Sequence, residues 1–217
     1  MSPNSNHSLG KSIACTLLGL FSMLYFGCSS SQLTRMWKDP EFNNSPLKNI
    51  LVVVAKNNPI YRRLWEDEFS NGLSAYGETA VCSYKLFPDS IPTPSQVSEA
   101  VQDRKFDGVL FLRRLPTEIT TKYVPGLVHS EKVTQYEPRS QTYSTFYRDI
   151  RQPGFIDTTK VIRHEALVFT TKGEGGHIIW GGTGEMINPS SMEEVRNEVT
   201  SLIIPELSHE GIVPTKQ

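Results

Sequence analysis

Cysteine is scarce: Cys15, Cys28 and Cys82 are the three in 217 residues. Two of them lie near the amino terminus, so Cys82 has no partner for an internal disulfide across the rest of the chain. Alone in TAVCSY, it reads as a small buried hydrophobe. A surplus of either charge is missing too. Lys and Arg number 22 against 23 Asp and Glu, a net of −1. Nucleic acid is therefore not an expected partner, since it calls for a basic patch. No apolar run reaches the ~20 residues of a transmembrane helix. Catalytic spacings are equally absent. There is no Cys-x-x-Cys, and the 72–77 stretch GLSAYG is one residue too long for a Gly-x-Ser-x-Gly elbow. His164-Glu165 has no second histidine four residues on, and His129, His164, His177 and His209 share no ligand spacing. Lys56–Pro59 holds no glycine, which argues against a nucleotide loop there. Gly181-Gly182-Thr183-Gly184 lacks the third spaced glycine. No catalytic residue, metal or cofactor is expected.

What is present begins with Lys11–Ser31, KSIACTLLGLFSMLYFGCSSS. Lys11 supplies a small positive region, and Ser12–Phe26 carries no charge. The pattern is that of a secretory signal. A small residue, Gly27, precedes Cys28 at its end, which resembles the box cut by the lipoprotein signal peptidase. Tyr25 and Phe26 stand where such boxes usually carry Leu and a small residue. The expectation is that residues 1–27 are a signal peptide and that Cys28 becomes an acylated amino terminus holding the chain to a lipid bilayer. Ser29 resembles the residue that sends such proteins on to the outer membrane. Residues 28–32 read as a tether.

From there the residues predict one α/β domain over 33–210, with 211–217 as a tail. Leu33, Arg35 and Trp37 alternate against Thr34 and Met36, the period of a half-buried strand, and Asp39-Pro40 ends it. Asn49–Ala55, NILVVVA, is apolar without interruption and rich in β-branched residues, fitting a strand buried on both faces. Asn58 as N-cap and Pro59 at the first turn open a helix that Gly77 ends. Its apolar stripe would be Tyr61, Leu64, Trp65, Phe69, Leu73 and Tyr76, with Arg62, Arg63, Glu66 and Asp67 on the outer side. A strand over Thr79–Leu86, a helix over Ser95–Lys105 and a strand over Val109–Leu112 complete a right-handed βαβαβ start. Thr159–Lys172 and His177–Ile187 form a hairpin across the Gly173–Gly176 turn. Setting Lys172 against His177 places His164 opposite Glu185 and Phe169 opposite Trp180. A last helix packs on the sheet, opened by a Ser190/Glu193 capping box, with Met192, Val195, Val199, Leu202 and Ile203 as its stripe and Pro205 to kink or end it. The fold class is thus α/β: a mixed sheet with a βαβαβ start, a terminal antiparallel hairpin and a C-terminal helix.

Residues 117–158 break this pattern. They are rich in Thr, Tyr, Pro and Ser, show no helical period, and read as an extension of the third strand followed by a long loop or hairpin. Tyr123, Tyr136, Tyr143 and Tyr147, with Phe146 and Phe155, lie in this excursion. Tyrosine gives large contact area at low entropic cost, so the four tyrosines are candidate partner-binding residues.

TRMWKDPEF after a lipidated cysteine, KNILVVVAKN before a helix, TKYVPG, and HIIWGGTGEMINPSS before the last helix carry a resemblance. The chain resembles small Gram-negative outer-membrane lipoproteins of uncharacterised function. In layout its domain is similar to the amino-terminal domain of the Tol-system propeller protein. That resemblance implies an envelope location, a periplasm-facing lipid anchor and an α/β sandwich, and supplies no active site. The function expected is a non-catalytic binding or assembly module whose partner is another envelope protein. The alternative from a different class is a periplasmic hydrolase built around Asp107, His164 and Glu185.

Overall fold

A segment apolar on both faces must be an interior strand covered on both sides, and Asn49–Ala55 is one, with a strand paired along each of its edges. The computed structural model describes residues 31–43, 45–172 and 176–216. The strands are β1 (Ser31–Lys38), β2 (Asn49–Ala55), β3 (Thr79–Cys82), β4 (Gly108–Arg114), β5 (Glu118–Val124), β6 (Leu127–Glu137), β7 (Thr142–Gln152), β8 (Phe155–Thr170) and β9 (His177–Ile187). The helices are α1 (Pro59–Ser74), α2 (Pro94–Arg104) and α3 (Met192–His209). Among the described residues no helix is long and apolar enough to cross a membrane.

Seven strands form one mixed sheet in the order β1-β9-β8-β4-β2-β3, with β5 also paired to β8. β2 runs parallel to β3 and β4, while β4–β8, β8–β9 and β9–β1 are antiparallel. α1 and α3 cover one face. There Ile50, Val52 and Val54 meet Trp65, Phe69, Leu73, Val195, Val199 and Ile203 in the larger core. α2 covers part of the other face, over Leu51 and Val53. The single run NILVVVA thus feeds both cores by alternation.

Local signals place the helix ends. Asn58 Oδ1 accepts from the amides of Ile60 and Tyr61, and Thr93 with Gln96 forms a capping box for α2. At α3 the cap lies one residue later than expected. Ser191 is the N-cap and accepts from the Glu194 amide, while the Glu194 carboxylate accepts from Ser190. Pro205 does not end α3, which continues to His209. Pro205 is exposed and Leu207 beyond it is buried, so the lost backbone bond faces water and a core contact holds the next turn. Ile212 and Val213, expected in a tail, are buried in the larger core.

Several register expectations are corrected. The expected tether ends earlier, because Ser31 and Gln32 pair with Met186 and Glu185 of β9. A bulge in β1 between Thr34 and Trp37, with Arg35 at φ 52°, breaks the simple alternation and leaves Trp37 exposed. The strand from Thr79 stops at Cys82 and turns into a 3-10 turn at Ser83–Lys85. In the terminal hairpin Thr170, not Lys172, faces His177. Thr171 has left the ladder: its amide donates to the Asp107 carbonyl at 3.1 Å and its hydroxyl to the Phe106 carbonyl at 2.6 Å. A bulge at Ile179 then shifts the register again, pairing His164 with Gly184 and Val168 with Trp180. Ile179 and Trp180 both reach the larger core, and Phe169 packs against the smaller one on the opposite face.

The helical stripe of α1 is rotated from its expected position. Tyr61 and Leu64 are exposed, whereas Arg62 and Glu66, expected on the outer side, are 3% and 0% exposed. Arg62 donates to the Glu66 carboxylate at 3.0 Å, to the carbonyls of Phe87 and Ser90, and to Ser83 Oγ. Glu66 also accepts from Ser83 Oγ and from the amides of Val54 and Tyr84. The pair pins the 83–90 segment and the end of β2 onto α1.

Candidate functional site

Pro116 interrupts the third strand, and the chain then resumes pairing farther along β8, from Glu118↔Val161 to Val124↔Phe155. β5 therefore continues the path of β4, as the sequence suggests. Two Pro-Gly steps, Pro125-Gly126 and Pro153-Gly154, then lie face to face. A methyl group on Gly126 would fall 2.4 Å from the Gln152 carbonyl oxygen and 2.7 Å from the Gly154 nitrogen, so the backbones approach too closely for a side chain. Beyond this pinch β6 and β7 form a separate two-stranded sheet, paired from Leu127↔Gln152 to Glu137↔Thr142. Nine residue steps carry the ribbon about 30 Å from its base to Tyr136 and Tyr143.

Both faces of the ribbon are polar and aromatic together. On one, Tyr136 and Tyr143 pair across the strands with ring centroids 5.0 Å apart. The Thr134 and Thr145 hydroxyls follow at 3.3 Å, then Lys132 opposite Tyr147, then Ser130 donating to Asp149 at 2.6 Å. The other face carries Val133 opposite Phe146 and the Arg148–Glu131 ion pair. Tyr136, Tyr143 and Tyr147 remain 47%, 74% and 71% exposed. Three of the four expected tyrosines thus share one face. Tyr123 does not join them. It lies on β5 opposite Ile156, at the base of the arm, close enough to Gly154 that a methyl group there would meet its hydroxyl at 2.4 Å. Cys28 lies outside the described residues.

The residues of the hydrolase alternative are not brought together. The Asp107 carboxylate accepts from the amides of Lys48 and Asn49 at 2.9 Å each, capping the start of β2. Seven strand steps, about 23 Å, separate His164 from Thr171, which bonds Asp107. Glu185 faces the opposite side of the sheet from His164 and pairs with Arg163, whose guanidinium holds it below the usual carboxylate range. Cys82 is buried, its thiol pushed up to about 11 by burial, so it stays protonated and unreactive.

His164 lies at the carboxyl ends of the parallel strands, paired in register with Arg114. It is 1% exposed, and neither ring nitrogen has a hydrogen-bond partner. Its ring stacks on Trp65 at 4.4 Å, and the Lys56 ammonium lies 5.0 Å from the same Trp65 ring. Burial first, then Lys56 and Arg114, lower its pKa to about 3. Local patterning does not announce this grouping, because Lys56, Arg114 and His164 come from three segments that only the β2-β4-β8 order makes neighbours.

Two hollows lie on the face that α2 covers only in part. One, of about 860 Å³, runs between α2 and the sheet, along Val53, Val97, Val101, Val109, Phe111 and Phe169, and among the described residues Arg113 is the one ionisable group in its wall. A smaller one of about 320 Å³ holds Arg35 and Glu165, the latter paired with Arg113. Glu206, His209 and Glu210 have ligand atoms within 4.8 Å of one another at the end of α3, where Lys38 already pairs with Glu210.

No protein-family model and no curated protein sequence matches the chain. Solved structures do. The PelC dodecamer from Paraburkholderia phytofirmans is similar at a TM-score of 0.42 and 16% identity, over 82% of this chain and 95% of that one. A PDZ domain protein from Parabacteroides distasonis is similar at a TM-score of 0.37 and 12% identity, over 89% of this chain and 40% of that one.

Proposed function

We propose that the chain is a lipoprotein, anchored through acylated Cys28 to the periplasmic side of the outer membrane, that works as a non-catalytic binding module of the cell envelope. Its contact element is the β6–β7 ribbon, and its partner is another envelope protein. The observation that supports this reading is the state of the ribbon. A two-stranded ribbon by itself is marginally stable in water, and both its outer edges present unpaired backbone groups. The chain nevertheless gives 26 residues, 127–152, to this element, and places three exposed tyrosines on one face of it. Such an element gains most when a second protein covers it.

The test is a photoreactive phenylalanine analogue at position 143 or 147 in cells, with position 61, an exposed tyrosine on α1, as the control. A discrete adduct from 143 and 147, absent from 61 and lost on Cys28→Ala, is the expected result. Adducts of the same pattern from all three positions would mean the ribbon is not the contact element. Adducts that persist in Cys28→Ala would remove the anchor from the account.

A further inference from the structure

We propose that Lys56, Arg114 and His164 form a binding site for a doubly charged oxyanion of the phosphate type, at the carboxyl end of the parallel strands. The topology selects this place. The β2-to-β3 connection, α1, and the β3-to-β4 connection, α2, lie on opposite faces of the sheet. The crevice outside the carboxyl ends of β2 and β4 is then the switch point at which open α/β sheets take ligands. Lys56 directly follows β2 and Arg114 ends β4.

The side chains there are unusual in what they lack. Among the described residues, neither Lys56 nor Arg114 forms an ion pair. Lys56 lies against the Trp65 ring, and Arg114 donates to Thr117 Oγ1. Lys56 is partly buried and Arg114 exposed, and the two cations repel one another, so that burial and Arg114 together lower the Lys56 pKa. The Glu66 carboxylate is committed to Arg62, while Glu118 and Glu165, paired with Arg163 and Arg113, lie on the opposite face of the sheet. Beneath the cations sits His164, on the same face as Arg114, with both ring nitrogens unpartnered. A buried polar group without a partner calls for one. A dianion between Lys56 and Arg114 would neutralise both charges, and one of its oxygens would accept from a neutral imidazole N–H. The first amides of α1 are already taken by Asn58, so the site rests on side chains.

The full-length chain in detergent, titrated with inorganic phosphate at pH 7.5, tests this. Calorimetry should show saturable binding with a dissociation constant of about 1 mM or tighter. Lys56→Met and Arg114→Met should each weaken it at least about tenfold, the size of one charged hydrogen bond. Arg113→Met, on the opposite face of β4, should leave it unchanged. A ring-nitrogen NMR resonance of His164 should move with the same saturation curve in the unaltered protein, which needs no variant to fold. Acetate should bind far more weakly. Absence of saturable binding overturns the proposal, as does a His164 resonance that stays still, or affinity that survives both Lys56→Met and Arg114→Met. Equal affinity for acetate overturns the assignment to a doubly charged ligand.

Discussion

Replacing Glu66 with alanine is expected to cost the domain about 3–5 kcal/mol, the range for removing one partner of a buried ion pair. Arg62 would keep its charge in a place that is 3% exposed, with Ser83 and two carbonyls as remaining partners. The amides of Val54 and Tyr84 would lose their acceptor at the same time. Against a typical net stability of about 5–15 kcal/mol, a loss of that size brings the domain close to unfolding at room temperature. Removing the charge as well should recover part of it, so Arg62→Leu/Glu66→Met is expected to be more stable than Glu66→Ala. Urea denaturation of the three proteins checks both statements. A loss below about 1 kcal/mol for Glu66→Ala would show that the pair is not a structural clamp.

Acid is expected to weaken the fold through His164. Its pKa falls from 6.5 to about 3 in the folded chain because burial, then Lys56 and Arg114, oppose the imidazolium. The unfolded chain therefore binds the proton first as pH falls. Stability is complete above the unfolded pKa and declines between pH 6.5 and 3, by up to about 1.4 kcal/mol per pH unit. Over the whole window this amounts to about 3–5 kcal/mol. His164→Phe keeps an aromatic ring against Trp65 and removes the titration. The difference between wild type and this variant, measured by urea unfolding at pH 7 and pH 4.5, isolates the histidine from the carboxylates that titrate in the same range. Equal pH dependence in the two proteins would mean that His164 is protonated, or solvated, in the fold.

The parts of this architecture readable from sequence are those where a local rule and the tertiary environment agree. NILVVVA fits a strand covered on both sides, and Asn58-Pro59 fits the opening of a helix, and the fold uses both in that way. The Arg62–Glu66 pair was hidden because charges four residues apart on a helix read as a solvated face. Nothing within α1 announces that the 83–90 segment closes over them. The Thr170–His177 pairing was hidden for a similar reason, since Thr171 is captured by the lead-in to β4, a segment far away in sequence. The arm was half legible. Its start as an extension of the third strand was expected from the Thr- and Tyr-rich, non-helical character of residues 117–158. Its eleven-residue strands did not, because a ribbon exposed on both faces needs no apolar alternation and so leaves no period to detect. Its tyrosines stood out by type alone, and type could not separate Tyr123 at the base from the three that share a face.

That shared face carries the functional account, and exchanging Tyr136, Tyr143 and Tyr147 for serine together probes it most directly. The rings are exposed, and the one contact among them, Tyr136 with Tyr143, lies within the ribbon. The expected product is a domain whose urea stability stays within about 1 kcal/mol of wild type, the scale of one cross-strand pair. Photo-crosslinking from position 134, on the same face, is expected no longer to yield the partner adduct. A folded variant that still yields the adduct at the wild-type level would contradict the account and place the contact surface elsewhere. A variant that unfolds would contradict it too, by showing that those rings are core.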